Sequence, residues 1–502
     1  MATASVLTVH GWSAQDSSMA ELAGFLERAG FDTAQLWLGG YPSMADEVHL
    51  ADSARRMGEV VKEMQADGRL ADRFHIVTHS TGALVVRQWL AFAYPEGGAP
   101  VDNFLMLAPA NFGSPLAVLG RSALGRLIKG WRNSFQTGTE FLHALEHGSM
   151  AQQNLALADR LSRNGETASP FSEEAVRPYV ITGLDVFRPM GIMGESAWDG
   201  TVRAASANID AQGVTVDFTA RAEDGLPART PWTRRGPHGT PFAVLPDRHH
   251  LNITEPLTGG PSGASADAAR RLGRLVLQAL RVTSAAEYRQ LRDDWVALND
   301  ATRTLVQPHM EAERAALAGE EPPAPDRFNE HYQIVFSVRD DSGLPVDDYH
   351  VWLTAPTERE LISGLSGEVS RPEEYALRHV LKKVHVNRRA SHRRVFHIDR
   401  RELMKQGGLR SALTSSRQAL LAAGISAPAP GPHISYFKRG DGLGSGVIPL
   451  RSLVSSRPDS MVAPEAGERF LKRYATHFID VIVPRRADEK VFTVRRLRGW
   501  SQ

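Results

Sequence analysis

Phe74-His-Ile-Val-Thr-His-Ser-Thr-Gly-Ala-Leu-Val-Val-Arg87 is the stretch whose reading decides the fold. Phe74–Val77 is a short apolar run suited to a buried strand, and Ala83–Ala93 continues with helical length and spacing. Between them stand small residues, so the chain passes from strand to helix through a tight turn centred on Ser80. The same alternation extends in both directions. Val6–Val9, Thr33–Leu38, Asn103–Leu107, Tyr179–Thr182 and Val214–Phe218 read as strands, while Met19–Ala29, Ala51–Ala66 and Ala266–Leu280 read as helices. Strands alternating with longer helical segments predict a parallel sheet covered on both faces.

A serine on a sharp strand-to-helix turn has its hydroxyl lifted above the sheet, which is the geometry of an activated nucleophile. The usual pattern is Gly-x-Ser-x-Gly; here Thr78 takes the first glycine position and Gly82 the second, which places an extra Cβ where space is tight. The helix that follows brings backbone N–H groups and a positive dipole end toward any developing oxyanion. One oxyanion donor is expected from the residue after the serine, Thr81, and a second from an early loop. Val6-Leu-Thr-Val-His-Gly-Trp-Ser13 ends a strand in His-Gly, and Trp12 is the candidate there, with Gly11 allowing close backbone approach.

Val-His-Gly-Trp near the start, Thr-His-Ser-Thr-Gly at the turn and Leu107-Ala-Pro-Ala-Asn-Phe-Gly-Ser-Pro115 after the next strand together resemble the α/β-hydrolase superfamily, in particular its lipases and esterases. The resemblance spans about the first 280 residues. It implies a Ser–acid–His triad in that chain order, acyl-ester substrates and no cofactor. Trp198-Asp-Gly-Thr-Val-Arg203 is similar to the Asp-Gly-x-Val segment that carries the acid in several lipases, which favours Asp199; Asp185, after the Tyr179–Thr182 strand, is the alternative. Leu245-Pro-Asp-Arg-His-His-Leu-Asn-Ile-Thr254 offers two adjacent bases. The His-x-x-Ile pattern of the family matches His250 with Ile253, but His249 stays open and His238 is a distant third, because a triad is defined by geometry.

Length and composition bound the rest. The 502 residues are enough for two cores. With 42% hydrophobic and 23% charged residues a disordered chain is excluded, and the lack of cysteine excludes disulfides, thiolate metal sites and cysteine nucleophiles. Met1-Ala-Thr-Ala-Ser carries no positive n-region and no apolar run reaches a bilayer's thickness, so no signal peptide or membrane span is expected and a cytoplasmic product is. Export by a signal-independent route stays open, since some bacterial lipase effectors look broadly similar.

Three regions follow: an α/β-hydrolase domain over 1–285 with a helical, lid-like insertion at about 113–178, a helix and linker over 286–327, and a mainly-β, sandwich-like domain over 328–502. Within the insertion, Leu119–Trp131 has the spacing of an amphipathic helix, suited either to a lipid interface or to an ordinary surface. Tyr332–Val338, Tyr349–Leu353, Val395–Ile398, Phe478–Val483 and Val491–Val494 are the strand candidates of the last region. Charge divides along the same boundary: residues 1–327 carry 30 Lys+Arg against 38 Asp+Glu, and 328–502 carry 28 against 19. The basic stretch 378–401 would suit an anionic membrane, or equally an intramolecular contact with the acidic first domain; no nucleic-acid module accompanies it. Asp340, Asp341, Asp347 and Asp348 bracket a turn, and a solubilising loop is the expected role ahead of calcium, so no metal is expected.

The functional expectation is a serine carboxylic-ester hydrolase of lipid-like esters. A small-ester esterase, an acyltransferase and a non-catalytic binding or scaffold protein on the same fold are the alternatives.

Overall fold

The computed structural model describes residues 4–10, 19–38, 47–119, 139–186, 196–223, 225–256, 266–305, 329–354, 356, 376–404, 420–437, 445–452, 469–488, 491 and 494. Six strands form the first sheet: β1 (Ser5–His10), β2 (Asp32–Trp37), β3 (Phe74–His79), β4 (Val101–Leu107), β6 (Arg177–Gly183) and β10 (Phe242–Leu245), in the order β10-β6-β4-β3-β1-β2. Every neighbouring pair is parallel. Alternate residues of each strand feed two separate cores, as period-two side chains must. Leu7, Val9, Ile76, Phe104, Met106, Val180 and Val244 face α2 (Leu50–Ala66) and α3 (Gly82–Ala93). On the other face, Val6, Val77, Leu105, Tyr179, Ile181 and Leu245 meet three helices: α1 (Ala20–Arg28), α6 (Ala266–Leu280) and α7 (Ala285–Leu305). The core side of α2 is Leu50, Ala54, Met57, Val61 and Met64, the three-and-four spacing of one helical face.

The insertion after β4 contains α4 (Thr139–Leu145), α5 (Met150–Asp159) and the two-residue β5 (Leu161–Ser162). Beyond Leu119, the candidate amphipathic segment lies outside the described residues. No helix among the described residues is long and apolar enough to cross a membrane.

Buried charge fastens α5 to the helix behind Ser80. Arg87 on α3 gives two hydrogen bonds to Asp159, 2.8 and 2.9 Å, and a third to Asn111 Oδ1 at 3.0 Å, with Arg87 and Asp159 both sealed from solvent. Removing one member of such a pair strands the other charge. Arg87→Met is therefore expected to destabilise the fold by about 3–5 kcal/mol, and adding Asp159→Leu to recover much of that loss. Urea unfolding midpoints of the two variants check both halves of the expectation.

A second, mixed sheet consists of β7 (Ala211–Arg221), β8 (Pro227–Pro231), β11 (His331–Asp340), β13 (Leu381–Val386), β14 (Arg393–Asp399) and β18 (Thr476–Val483). Their order is β13-β14-β11-β18-β7-β8. Here the strand expected at Val214–Phe218 departs from its expected place. It belongs to this sheet, antiparallel to its neighbour β8 and parallel to β18, a partner supplied by chain more than 250 residues away. Residues from both sides of position 328 thus build one sheet. A three-stranded sheet of β12 (His350–Thr354), β15 (Leu420–Ser426) and β17 (Ser445–Ser452) packs on it, and Val214, Ile334, Phe336, Val351, Leu353, Ile425 and Ile448 share the core between them. The mainly-β part is a sandwich. Its opposite face, through Val335, Val395 and Phe478, meets Phe112 and Ala156 of the first domain. Of the expected strands, Val491–Val494 lies largely outside the described residues.

Candidate active site

Ser80 sits directly after β3 with φ 55°, a left-handed conformation that a residue bearing a Cβ rarely adopts. Such strain is expected where a turn must aim one side chain. The turn closes because α3 starts almost in contact with the end of β1: a Cβ on Gly82 would lie 2.9 Å from the Val9 carbonyl oxygen. Glycine is required at that position. Thr78, at the other glycine position of the motif, fits with its side chain buried between strands.

Three elements converge on this serine. The loop after β10 brings His250 Nε2 to 3.0 Å from Ser80 Oγ, and the other ring nitrogen, Nδ1, stands 2.9 Å from Asp199 Oδ2. Asp199 is fully buried, and its Oδ1 accepts the amides of Thr201 (2.9 Å) and Val202 (2.7 Å). The carboxylate is thereby oriented by backbone, and with Nδ1–H donated to it the Nε2 lone pair is left to accept the serine proton. Backbone also links the two residues, since the His250 N–H donates to the Asp199 carbonyl at 2.9 Å. Gly183 lets the loop carrying His250 pack down, for a Cβ there would lie 1.9 Å from the Arg248 carbonyl oxygen.

The alternatives occupy other places. His249 Nδ1 accepts the amides of Leu251 and Asn252 and so shapes the loop, and burial lowers its pKa. Asp185 accepts the Val186 amide at 2.6 Å, and its own N–H bonds the Arg248 carbonyl. His238 lies in a separate cleft with Arg160, Asp210 and Tyr474. Thr81 is the N-cap residue of α3, next to Ser80, whereas Trp12 lies outside the described residues.

One participant carried no assigned role in the sequence: His79, buried between His10 and His250, with its Nε2 bonded to the His250 main-chain oxygen. Standing beside the serine in the Thr-His-Ser-Thr-Gly turn was its only signal.

Outside the site, much of the basic stretch turns toward the protein. Arg389 pairs with Glu140 at 2.6 Å, Arg393 bonds Gly148 and Gln153, Arg400 bonds Glu330, and Lys382 lies 3.7 Å from Asp399. Among the acids of the candidate calcium turn, Asp340 accepts Ser342 and Leu344 donors and Asp347 accepts the Ser391 hydroxyl. No metal-binding group of three or more ligands occurs among the described residues.

Compared with solved structures, the whole chain matches phospholipase PlaB from Legionella pneumophila over 97% of that chain, at 23% identity and a TM-score of 0.74. The chain has the α/β-hydrolase fold. A second structure of PlaB, in complex with thio-NAD, matches over 98% of its length with the same identity and a TM-score of 0.71. Bacillus licheniformis lipase BlEst2 matches 51% of this chain at 13% identity and a TM-score of 0.33. No family model and no curated protein matches the chain. In this fold Ser80 directly follows β3 and His250 lies in the loop after β10, at the carboxyl ends of parallel strands, where such sheets place their chemistry.

Buried histidines set an acid limit on this fold. His79, His147, His331 and His397 are held well below their ordinary pKa by burial, and His477 is lowered to about 4. An unfolded chain binds protons at these positions from about pH 6.5 downward while the folded chain refuses them, so stability is complete above that pH and falls as pH drops toward 4. Each such histidine contributes about 1.4 kcal/mol per pH unit to that slope. Asp247 and Asp399, whose pKa values burial raises, act with the opposite sign nearer the carboxylate range. Thermal midpoints are expected to fall from pH 7.5 to pH 5; an unchanged midpoint contradicts the expectation.

Proposed function

We propose that the protein is a serine hydrolase of carboxylic esters, with lipid-like esters as substrates and Ser80, His250 and Asp199 as its triad. The hydrogen-bonded chain from Ser80 Oγ through His250 to Asp199, set on a strained turn, is the observation that carries this reading. In the proposed cycle His250 Nε2 takes the serine proton as Oγ attacks the ester carbonyl. Asp199 stabilises the imidazolium, and the amides of Thr81 and Trp12 receive the oxyanion. His250 then protonates the departing alcohol, leaving an acyl group on Ser80. Water, deprotonated by the same imidazole, releases the acid and restores the hydroxyl.

Support for a lipid substrate comes from the likeness along the whole chain to a protein named a phospholipase. The test is turnover of p-nitrophenyl esters of rising acyl length, with Ser80→Ala as control. Rates that rise with chain length and with micelle formation support lipid hydrolysis; a preference for short soluble esters points to an esterase. Absence of serine-dependent turnover sinks the enzymatic reading. Transfer of the acyl group to added alcohols in preference to water identifies an acyltransferase.

A further inference from the structure

We propose that His79 positions the catalytic base: its Nε2–H donates to the main-chain oxygen of His250 and ties the loop carrying the imidazole to the strand end carrying Ser80. The inference rests on the reading of Ser80 and His250 given above. The distance is 2.9 Å, and a carbonyl oxygen can only accept, so the proton lies on Nε2. Nδ1 of the same ring is buried without a hydrogen-bond partner, so the side chain's polar character serves that one bond. Burial keeps the ring uncharged, with the neighbouring His250 and His10 acting in the same direction.

His250 is held by four polar contacts. Its N–H and Nδ1 both go to Asp199, its Nε2 goes to Ser80, and its carbonyl goes to His79. Only the last joins the base loop to β3 by way of the main chain. The His79 ring also lies 4.8 Å from the His250 ring, tilted by 45°, so it bears on the imidazole as well as on its backbone. Since His79 immediately precedes Ser80, any shift of the strand end carries nucleophile and base together.

His79→Met and His79→Gln are close in length and differ in the N–H donor, which separates the bond from the packing. In the full chain, His79→Met is expected to lower kcat about 10- to 100-fold with KM within about threefold, the cost of a misplaced group rather than of lost binding. His79→Gln, with its donor intact, is expected to stay within about fivefold of wild type. A readout independent of turnover is the low-field proton resonance between His250 Nδ1 and Asp199, assigned by its loss in His250→Ala. It should persist in His79→Gln and broaden or vanish in His79→Met. If melting curves show that the Met variant does not fold, His79→Asn, whose donor is too short to reach, replaces it. Equal kcat and an equal low-field signal in the donor and non-donor variants overturn the proposal. Should wild type lack serine-dependent turnover while the resonance still tracks His79, the functional reading fails and the positioning role stands.

Discussion

Ser80→Ala is expected to lower kcat for ester cleavage by about 10⁶-fold, with KM little changed. The size of the effect follows from what the hydroxyl does in the proposed cycle. Without Oγ there is no acyl intermediate, His250 has no proton to take, and only the oxyanion donors and substrate binding persist; in a comparable triad these leave about 10³–10⁴ over water. The fold should tolerate the change. Alanine keeps the Cβ at φ 55°, so the strain of the turn is unaltered, and the serine's backbone bond to Leu107 at 3.0 Å does not involve the side chain. A fluorophosphonate probe offers the direct measurement. Its mass should appear on the Phe74–Arg87 peptide of wild type and be missing from Ser80→Ala, and labelling that survives the substitution contradicts the assignment.

Asp199→Asn is expected to cost about 10⁴-fold in kcat, although the residue never touches substrate. The reason lies in the other end of the carboxylate. Oδ1 accepts the Thr201 and Val202 amides, so an asparagine must leave its carbonyl oxygen there and turn its NH₂ toward His250 Nδ1. That NH₂ can only donate. His250 would then accept at Nδ1 and carry its proton on Nε2, which leaves no lone pair for the Ser80 hydroxyl 3.0 Å away. Geometry is conserved while the tautomer is reversed. The measurement is kcat together with the fluorophosphonate labelling rate, both reduced, alongside an unfolding midpoint close to wild type. A variant that labels at the wild-type rate removes Asp199 from the proposed mechanism.

The two substitutions also mark where sequence reading ends. Ser80 was legible because its context is local: an apolar run, a few small residues and an apolar helix within about twenty positions, each dictated by nearest-neighbour physics. Gly82 was legible for a related reason, and the structure supplies the contact with Val9 that makes a Cβ intolerable. Choosing between Asp199 and Asp185, or between His250 and His249, was a different kind of problem. The two histidines are adjacent in one loop, His250 buried and His249 half-buried, and one ring faces Ser80 while the other accepts amides of its own turn. Family patterns favoured His250 and Asp199, and the fold brings that pair together with Ser80.

Sequence by itself determined the parallel α/β body, the β character of the last third and the tight strand-to-helix turn at Ser80, because periodicity and turn chemistry act over a few residues. Only the tertiary structure decided which sheet takes β7, that Arg87 pairs with Asp159, and that His79 bonds the main chain of His250. Strand alternation says which face is apolar but not which strand lies alongside. A side chain's partner 72 or 171 residues away is chosen by how the whole chain packs, and no local pattern encodes that choice.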